Sequence, residues 1–323
     1  MNTKIKKIGV LTSGGDAPGM NAAIRAVVRS ARSKGLDVVG VHRGYAGLIN
    51  GDIFDMDMRD VSNILQNGGT HLLSARSKEF CTEEGMQKAV DNCRKFGIEG
   101  LVVIGGDGSY RGAGDLSVRG IPCIGIPGTI DNDISSTDYT IGFDTCVNCV
   151  VDMVDRIRDT MRSHERCSVV EVMGRNAGYI ALHAGIATGA ACVMVPEVES
   201  SVEDVIKKIE EGRALGKYNF IVIVAEGVGH AEELSATIEE RTGVVTRATI
   251  LGHVQRGGSP TARDRLLASR FGDYAVDLLL DGKSNRVVGI HNDELVDYDI
   301  QEALGMKKEF PMDLYRLVDV ISI

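Results

Sequence analysis

The chain has 323 residues, and its 36 Lys and Arg against 45 Asp and Glu leave a formal charge of −9. That balance argues against nucleic acid or an acidic membrane as a partner, since such binding needs a basic surface to displace counterions. Apolar residues at 43% and charged residues at 25% are ordinary for a folded soluble chain. The length fits two domains on a prior of about 150 residues each. With 39 glycines against 6 prolines, the composition points to many tight strand-to-helix turns rather than disorder. The seven cysteines, at 81, 93, 123, 146, 149, 167 and 192, form no dense framework, which suits reduced thiols and a cytoplasmic location. Lys4, Lys6 and Lys7 precede an apolar stretch that ends at Leu11, too short for a signal-peptide core. No run approaches the ~18 apolar residues of a membrane span.

In chain order, short continuous β-branched runs at 8–11, 100–105, 123–127, 168–173, 191–196, 220–225 and 286–290 read as strands buried on both faces. Helix-period segments at 20–34, 83–96, 144–161, 202–215, 231–242 and 264–280 lie between them. The alternation predicts an α/β chain with two Rossmann-like domains, mostly parallel sheets and helices on both faces. The pattern pauses near 138–140 and again near 250, where domain boundaries are expected.

Ligands of such sheets sit beyond the C-terminal strand ends. There the sequence concentrates glycine, carboxylate and arginine. The first strand runs into Thr12-Ser13-Gly14-Gly15-Asp16, a turn whose glycines let backbone N–H groups approach an anion. Taken alone, it is equally an ordinary βα turn. A second strand-Gly-Gly-Asp arrangement follows at Gly105-Gly106-Asp107-Gly108-Ser109, with Ser109 available as a helix N-cap. Asp107 stands where a short carboxylate could hold Mg²⁺ while glycine backbone faces phosphates. No Walker A pattern occurs: at Gly282-Lys283-Ser284 the required earlier glycine is Asp277. Neither loop has dinucleotide-fingerprint spacing.

The third strand end, Pro127-Gly128-Thr129-Ile130-Asp131-Asn132-Asp133, carries two carboxylates two residues apart. They suit the orientation and deprotonation of an attacking hydroxyl, or else cap turns. Two further stretches set arginine among glycines: Met173-Gly174-Arg175-Asn176-Ala177-Gly178, and Gly252 to Pro260 with His253 and Arg256. Arginine's planar fork matches phosphate oxygens. Cys146 and Cys149 are a lone pair on a helix with no second pair or histidine at metal spacing, and read as small packing residues.

These loops, in this order, make the chain resemble the bacterial ATP-dependent 6-phosphofructokinases over nearly its whole length, through segments 9–29, 68–76, 100–109, 122–144, 169–178 and 246–260. The resemblance implies transfer of the γ-phosphoryl group of Mg-ATP to the C1 hydroxyl of fructose 6-phosphate. It implies an ATP-binding domain at 1–139 plus 252–304, and a fructose 6-phosphate domain at 140–251 plus 305–323. Gly15, Tyr45, Arg76, Ser77, Gly106, Asp107, Gly108 and Ser109 would line the ATP site, with Asp107 at the Mg²⁺ position. Thr129, Asp131 and Asp133 would form the catalytic loop, with Asp131 as base and with Arg76 and Arg175 stabilising charge on the transferring group. Met173, Gly174, Arg175, Glu226, His253 and Arg256 match the sugar-phosphate positions. Arg166 and Arg247 match arginines that reach in from a neighbouring subunit of a cytoplasmic, allosteric homotetramer.

Pyrophosphate-dependent relatives usually place Asp at the position of Gly108 and Lys at that of Gly128, so ATP is the expected donor. Arg25, Arg29, Arg158, Gly189 and Lys217 match part of the family's ADP and phosphoenolpyruvate effector site. Ala191, Leu215 and Asn219 depart from it, where the family has an acidic residue, a basic residue and a histidine. An NAD- or lipid-kinase-like protein shares a Gly-Gly-Asp-Gly loop but lacks the 13–21 and 250–260 stretches. A catalytically dead sugar-phosphate sensor would have lost Asp131, Asp107 or Arg175, and all three are present.

Overall fold

The computed structural model describes residues 5–322, and the chain divides into two compact units. One comprises the residues through Ile130 together with Ile134–Asp144 and Arg256–Lys308. The other comprises Asp131–Asp133, Thr145–Gln255 and the residues from Glu309 on. Lys4 lies outside the described residues.

The strands are β1 (Lys7–Thr12), β2 (Asp37–Val41), β3 (Ile53–Met56), β4 (Gly100–Gly105), β5 (Cys123–Thr129), β6 (Ile141–Gly142), β7 (Cys167–Val172), β8 (Cys192–Met194), β9 (Phe220–Ala225), β10 (Thr246–Ile250), β11 (Arg286–His291) and β12 (Glu294–Asp299). The helices are α1 (Met20–Ser33), α2 (Gly44–Asn50), α3 (Glu83–Lys95), α4 (Asp107–Val118), α5 (Phe143–His164), α6 (Tyr179–Thr188), α7 (Val202–Ala214), α8 (Ala231–Thr242), α9 (Ala262–Leu280), α10 (Ile300–Gly305) and α11 (Met312–Ile321).

In the first unit the strand order is β12-β11-β5-β4-β1-β2-β3, with the short β6 paired to β5. Pairing is parallel except at the two ends, where β3 on β2 and β12 on β11 run antiparallel. The centre is apolar on both faces: β4 is buried along its whole length, as the continuous run Leu101–Ile104 requires. The strand after β1 lies on one side of it and β4 on the other, so the chain reverses direction across the sheet beside β1. The crevice at such a switch point is where α/β sheets take their ligands. Helix α1 buries Ala23, Ile24, Val27, Val28 and Ala31. It comes so close to α9 that a Cβ on Gly272 would stand 2.5 Å from the Ala26 Cβ, so only glycine fits there.

The second unit has an all-parallel sheet in the order β10-β7-β9-β8. Its core gathers Val169, Ile209, Phe220, Val222, Val224 and Ile238. Full burial of each such side chain contributes about 1.5–3 kcal/mol. Helix α7 starts on a capping box in which Ser201 and Asp204 each satisfy the other's backbone N–H. The cysteines are all free thiols: Cys146 is buried, and Cys149 is half-buried.

Candidate active site

Two glycine turns of the first unit meet at the switch point. Ser13 N–H donates to the Ile104 carbonyl at 2.9 Å, and the Ser109 hydroxyl donates to the Ser13 carbonyl at 3.0 Å. Gly105 must lack a side chain, because its Cβ would sit 2.4 Å from that same carbonyl. Ser109, expected as the N-cap of α4, is instead its third residue; Gly106 holds the cap position, which frees the Ser109 hydroxyl to tie the turns together. Tyr45 braces the assembly. It is 5% exposed, stacks on Phe80 at 4.1 Å, and donates its hydroxyl to the Ser109 carbonyl at 2.5 Å. Gly112 makes the room, since a Cβ there would meet the Tyr45 ring at 2.6 Å. Burial pushes the Tyr45 hydroxyl well above its usual range, so it remains a donor.

Above this frame, the start of α4 is open. A Cβ added at Gly106 or Gly108 would meet nothing within 4 Å. The first backbone N–H groups of a helix have no intrahelical partner and carry the positive end of its dipole. Asp107 occupies the first helical position beside them. Nearby, Gly14 adopts φ 88° and its carbonyl accepts from the Ser74 hydroxyl at 2.6 Å. The Arg256 guanidinium lies over Gly15, where a Cβ would stand 2.6 Å from its Nη1, and it donates to the Asp16 carbonyl at 3.1 Å. The Ser77 hydroxyl caps the 79–81 turn by accepting from Phe80 N–H at 3.1 Å. Arg76 is exposed and makes no hydrogen bond or ion pair among the described residues. Gly128 is buried against Ile104 and Met20, each 3.1 Å from where its Cβ would be. The Thr129 carbonyl accepts from the Thr140 hydroxyl at 2.6 Å.

In the second unit, Asp131 is 8% exposed and Asn132 sits in the left-handed region at φ 53°. Asp133 faces Tyr179, whose hydroxyl is pushed up to about 12 by burial and then by the charges of Glu197 and Asp133. The turn that leaves β7 is tightly specified. Gly174 takes φ 138° and has the Ala177 carbonyl 2.4 Å from its would-be Cβ, so no other residue fits. Arg175 also has a positive φ, 58°, which for a non-glycine residue is a strained conformation that persists only where the surroundings impose it. Glu226, at the end of β9, imposes it: its Oε1 accepts the Arg175 N–H at 2.5 Å. Thus Met173, Gly174, Arg175 and Glu226 gather at the C-terminal ends of β7 and β9, and His253 lies exposed in the turn 252–256 that follows β10.

Arg166 and Arg247 do not join them. Arg166 immediately precedes β7 and Arg247 is the second residue of β10, both at the N-terminal end of the parallel sheet. A six-residue strand spans about 20 Å. Arg247 is engaged with Glu239 at 2.9 Å and the Thr246 carbonyl at 2.7 Å.

Arg158, Gly189 and Lys217 cluster elsewhere in this unit. Arg158 donates to the Thr188 carbonyl next to Gly189, and Lys217 donates to the Ser322 carbonyl at 2.5 Å. Burial, and then the charge of Arg158, lowers the Lys217 ammonium. Arg25 and Arg29 lie on α1 with buried Nε atoms, and burial and then Arg29 lower Arg25. Leu215 is 70% exposed and Ala191 is buried.

Sequence reasoning missed Ser13, Phe80 and Gln255. Their roles come from contacts with residues 35 to 96 positions away, which no local pattern announces.

A pair of fused glycine turns under an open helix start, at one mostly parallel sheet, and arginine-bearing strand ends at another, all-parallel one define an α/β protein equipped to hold phosphate groups. A family model described as Phosphofructokinase matches residues 7–279. Similar chains include the ATP-dependent 6-phosphofructokinases of Clostridium tetani, 59% identical over 98% of this chain and 100% of that one, and of Clostridium botulinum strain Loch Maree, 58% identical over the same shares. The chain belongs to the phosphofructokinase family.

Among solved structures, the phosphofructokinase of Saccharomyces cerevisiae superposes with a TM-score of 0.89 at 37% identity, covering 98% of this chain and 48% of that one. This chain thus spans about half the yeast chain. The fold is shared also with a pyrophosphate-dependent phosphofructokinase from Marinobacter aquaeolei, with a TM-score of 0.86 at 22% identity over 97% of this chain and 91% of that one. No helix among the described residues is long and apolar enough to cross a membrane.

Proposed function

We propose that the chain is a kinase that moves the γ-phosphoryl group of ATP to the C1 hydroxyl of fructose 6-phosphate, a glycolytic step carried out in the cytoplasm. The observation that carries this is the open start of α4, where Gly106 and Gly108 leave room for phosphates at the positive end of the helix dipole. Gly108 and Gly128 both lack the charge that keeps a nucleotide out, which supports ATP over pyrophosphate. The first unit, with Gly15, Tyr45, Arg76, Ser77 and Gly106 to Ser109, is the ATP-binding domain in this reading. Tyr45 acts there as a brace under Ser109. The second unit is the sugar-phosphate domain, through Met173, Gly174, Arg175, Glu226 and His253; by the resemblance, Thr129 and Arg256 also belong to the sugar-phosphate positions.

Asp107 fits a magnesium ion. It is one hard carboxylate at an open helix start, and Mg²⁺ is usually held by one or two carboxylates plus substrate phosphates and water. Bound there, the ion would neutralise charge on the donor's phosphate oxygens. The protein's own work is positioning and charge compensation. Asp131 accepts the proton of the sugar hydroxyl as it attacks, Asp133 and Thr129 hold the loop, and Arg76 and Arg175 offset charge on the transferring group. Arg166 and Arg247 act on the phosphate of a sugar bound to a second copy, which is supported by their location about a strand length from the rest of the sugar site. A homotetramer with shared sites follows from this reading. Arg25, Arg29, Arg158, Gly189 and Lys217 form an incomplete effector site.

The test is purified protein with Mg-ATP and fructose 6-phosphate, followed by coupled ADP release and by phosphorus NMR of the sugar product. Stoichiometric ADP and fructose 1,6-bisphosphate are expected. ADP without a bisphosphate, or no turnover, overturns the reading.

A further inference from the structure

Gln255 is 0% exposed, although it carries a primary amide in a turn whose neighbours His253 and Val254 face solvent. Burying such a group without partners is costly. Both its ends are matched to backbone. Oε1 accepts the Met173 N–H at 3.1 Å, and Nε2 donates to the Gly252 carbonyl at 3.0 Å. The Cys146 Sγ lies 3.9 Å from Oε1 as a weak third partner. A carbonyl on one side and an N–H on the other leave only one amide orientation that satisfies both.

The position of these bonds matters more than their number. Met173 is the first residue after β7, and the next two adopt φ 138° and 58°. The turn therefore has a side-chain anchor at each end: Gln255 holds Met173 N–H, and Glu226 holds Arg175 N–H. Gln255 simultaneously holds the turn that presents His253. We infer that Gln255 is a positioning residue for acceptor binding, a buried amide strut that locks the Met173–Arg175 backbone to the His253 turn so that both present their groups to one sugar phosphate in fixed register. Gln255 touches no substrate itself. Pre-organisation of this kind lowers the ordering cost of binding and acts on affinity more than on the chemical step.

The inference rests on the proposed sugar-phosphate site, and its test separates the two. Wild type is first assayed for turnover and, by calorimetry, for fructose 6-phosphate binding without ATP. Gln255→Met removes both hydrogen bonds at similar volume, and Gln255→Glu keeps the acceptor and turns an oxygen toward the Gly252 carbonyl. The expected result in Gln255→Met is a KM and calorimetric Kd for fructose 6-phosphate raised tenfold or more, a KM for ATP within twofold, and kcat reduced less than threefold. Gln255→Glu should show the same selectivity, and it serves as the readout if the methionine variant does not fold. Both constants unchanged within twofold in a folded variant overturn the inference and leave the proposed function standing. Equal rises for ATP and sugar phosphate, accompanied by a lowered Tm, reduce Gln255 to a structural residue and overturn it as well. A wild type that neither binds nor phosphorylates fructose 6-phosphate removes both readings together.

Discussion

At the residue scale, the candidate site owes its shape to a few positions where side-chain size or backbone sign leaves no alternative. Gly105 and Gly174 are dictated by carbonyl oxygens 2.4 Å from a would-be Cβ, whereas a Cβ at Gly108 would meet nothing within 4 Å. The backbone there accepts a side chain, and in the proposed site the effect of a carboxylate would be electrostatic, set against the donor's phosphates. Gly108→Asp is expected to raise the KM for ATP by tenfold or more while the fold and the KM for the sugar phosphate persist, as steady-state kinetics with a thermal melt would show. Asp131 carries a different expectation. In the proposed reaction it is the base, which contributes to the transition state more than to binding, so Asp131→Asn should lower kcat by about 10²–10⁴ with KM values near wild type. Near-full kcat in that variant removes Asp131 from the chemistry.

At the scale of elements, the loops at strand ends were legible because glycine, aspartate and arginine stand out from the apolar strands that precede them. The antiparallel edges were not. Strand β2 is short and interrupted by Gly40, β3 has only four residues, and β12 carries three carboxylates among its six residues, so their apolar period is too weak to read alone. The β11–β12 hairpin turns on Asn292 and Asp293 at φ 49° and 65°, the two left-handed residues that match the twist of paired strands. A charged clamp holds it to α9. Asp297 accepts from Arg286 Nε at 2.6 Å, Tyr274 OH at 3.0 Å and Lys283 Nζ at 3.1 Å. Burial alone would raise the Asp297 carboxyl, but the Arg286, Lys283 and Tyr274 hydrogen bonds hold it below its usual 3.8. A carboxyl depressed on folding stabilises the protein fully above its unfolded pKa and loses that contribution as the pH falls through the folded one. Asp297→Asn should therefore cost about 1–3 kcal/mol at pH 7. Its Tm deficit should shrink as the pH is taken below 3.8. A deficit that is flat across that range would mean the clamp does not discharge on titration.

At the scale of the whole molecule, the proposed sugar site involves other copies of the chain. Arg166 and Arg247 stand at the N-terminal end of the second unit's sheet, and the proposed role for them is at the acceptor site of a second copy. Regulation is the companion question. In the proposed effector site, Ala191 supplies no carboxylate for a metal-bound nucleotide and the exposed Leu215 supplies no cation. Each missing charge-assisted bond is worth about 1.5–3 kcal/mol. An effector shifts a tetramer only by its differential affinity for two states. Weak or absent activation by Mg-ADP, and a blunted response to phosphoenolpyruvate, are expected at sub-saturating fructose 6-phosphate. Strong ADP activation that abolishes sigmoidality would show that other residues compensate.

The sequence by itself determined the α/β class, the glycine- and arginine-bearing loops at the strand ends and the family resemblance, because these depend on local period and on residue types clustered within a few positions. Only the tertiary structure decided how those loops are braced. The Ser13–Ser109 tie, the Tyr45 strut and the Gln255 amide join residues 82 to 96 positions apart, or 64 for Tyr45. It also moved Ser109 from helix cap to cross-link. The physical reason is that a hydrogen-bonding side chain is only a list of donors and acceptors until the fold sets a backbone group in front of it. Burial then makes that one partner obligatory.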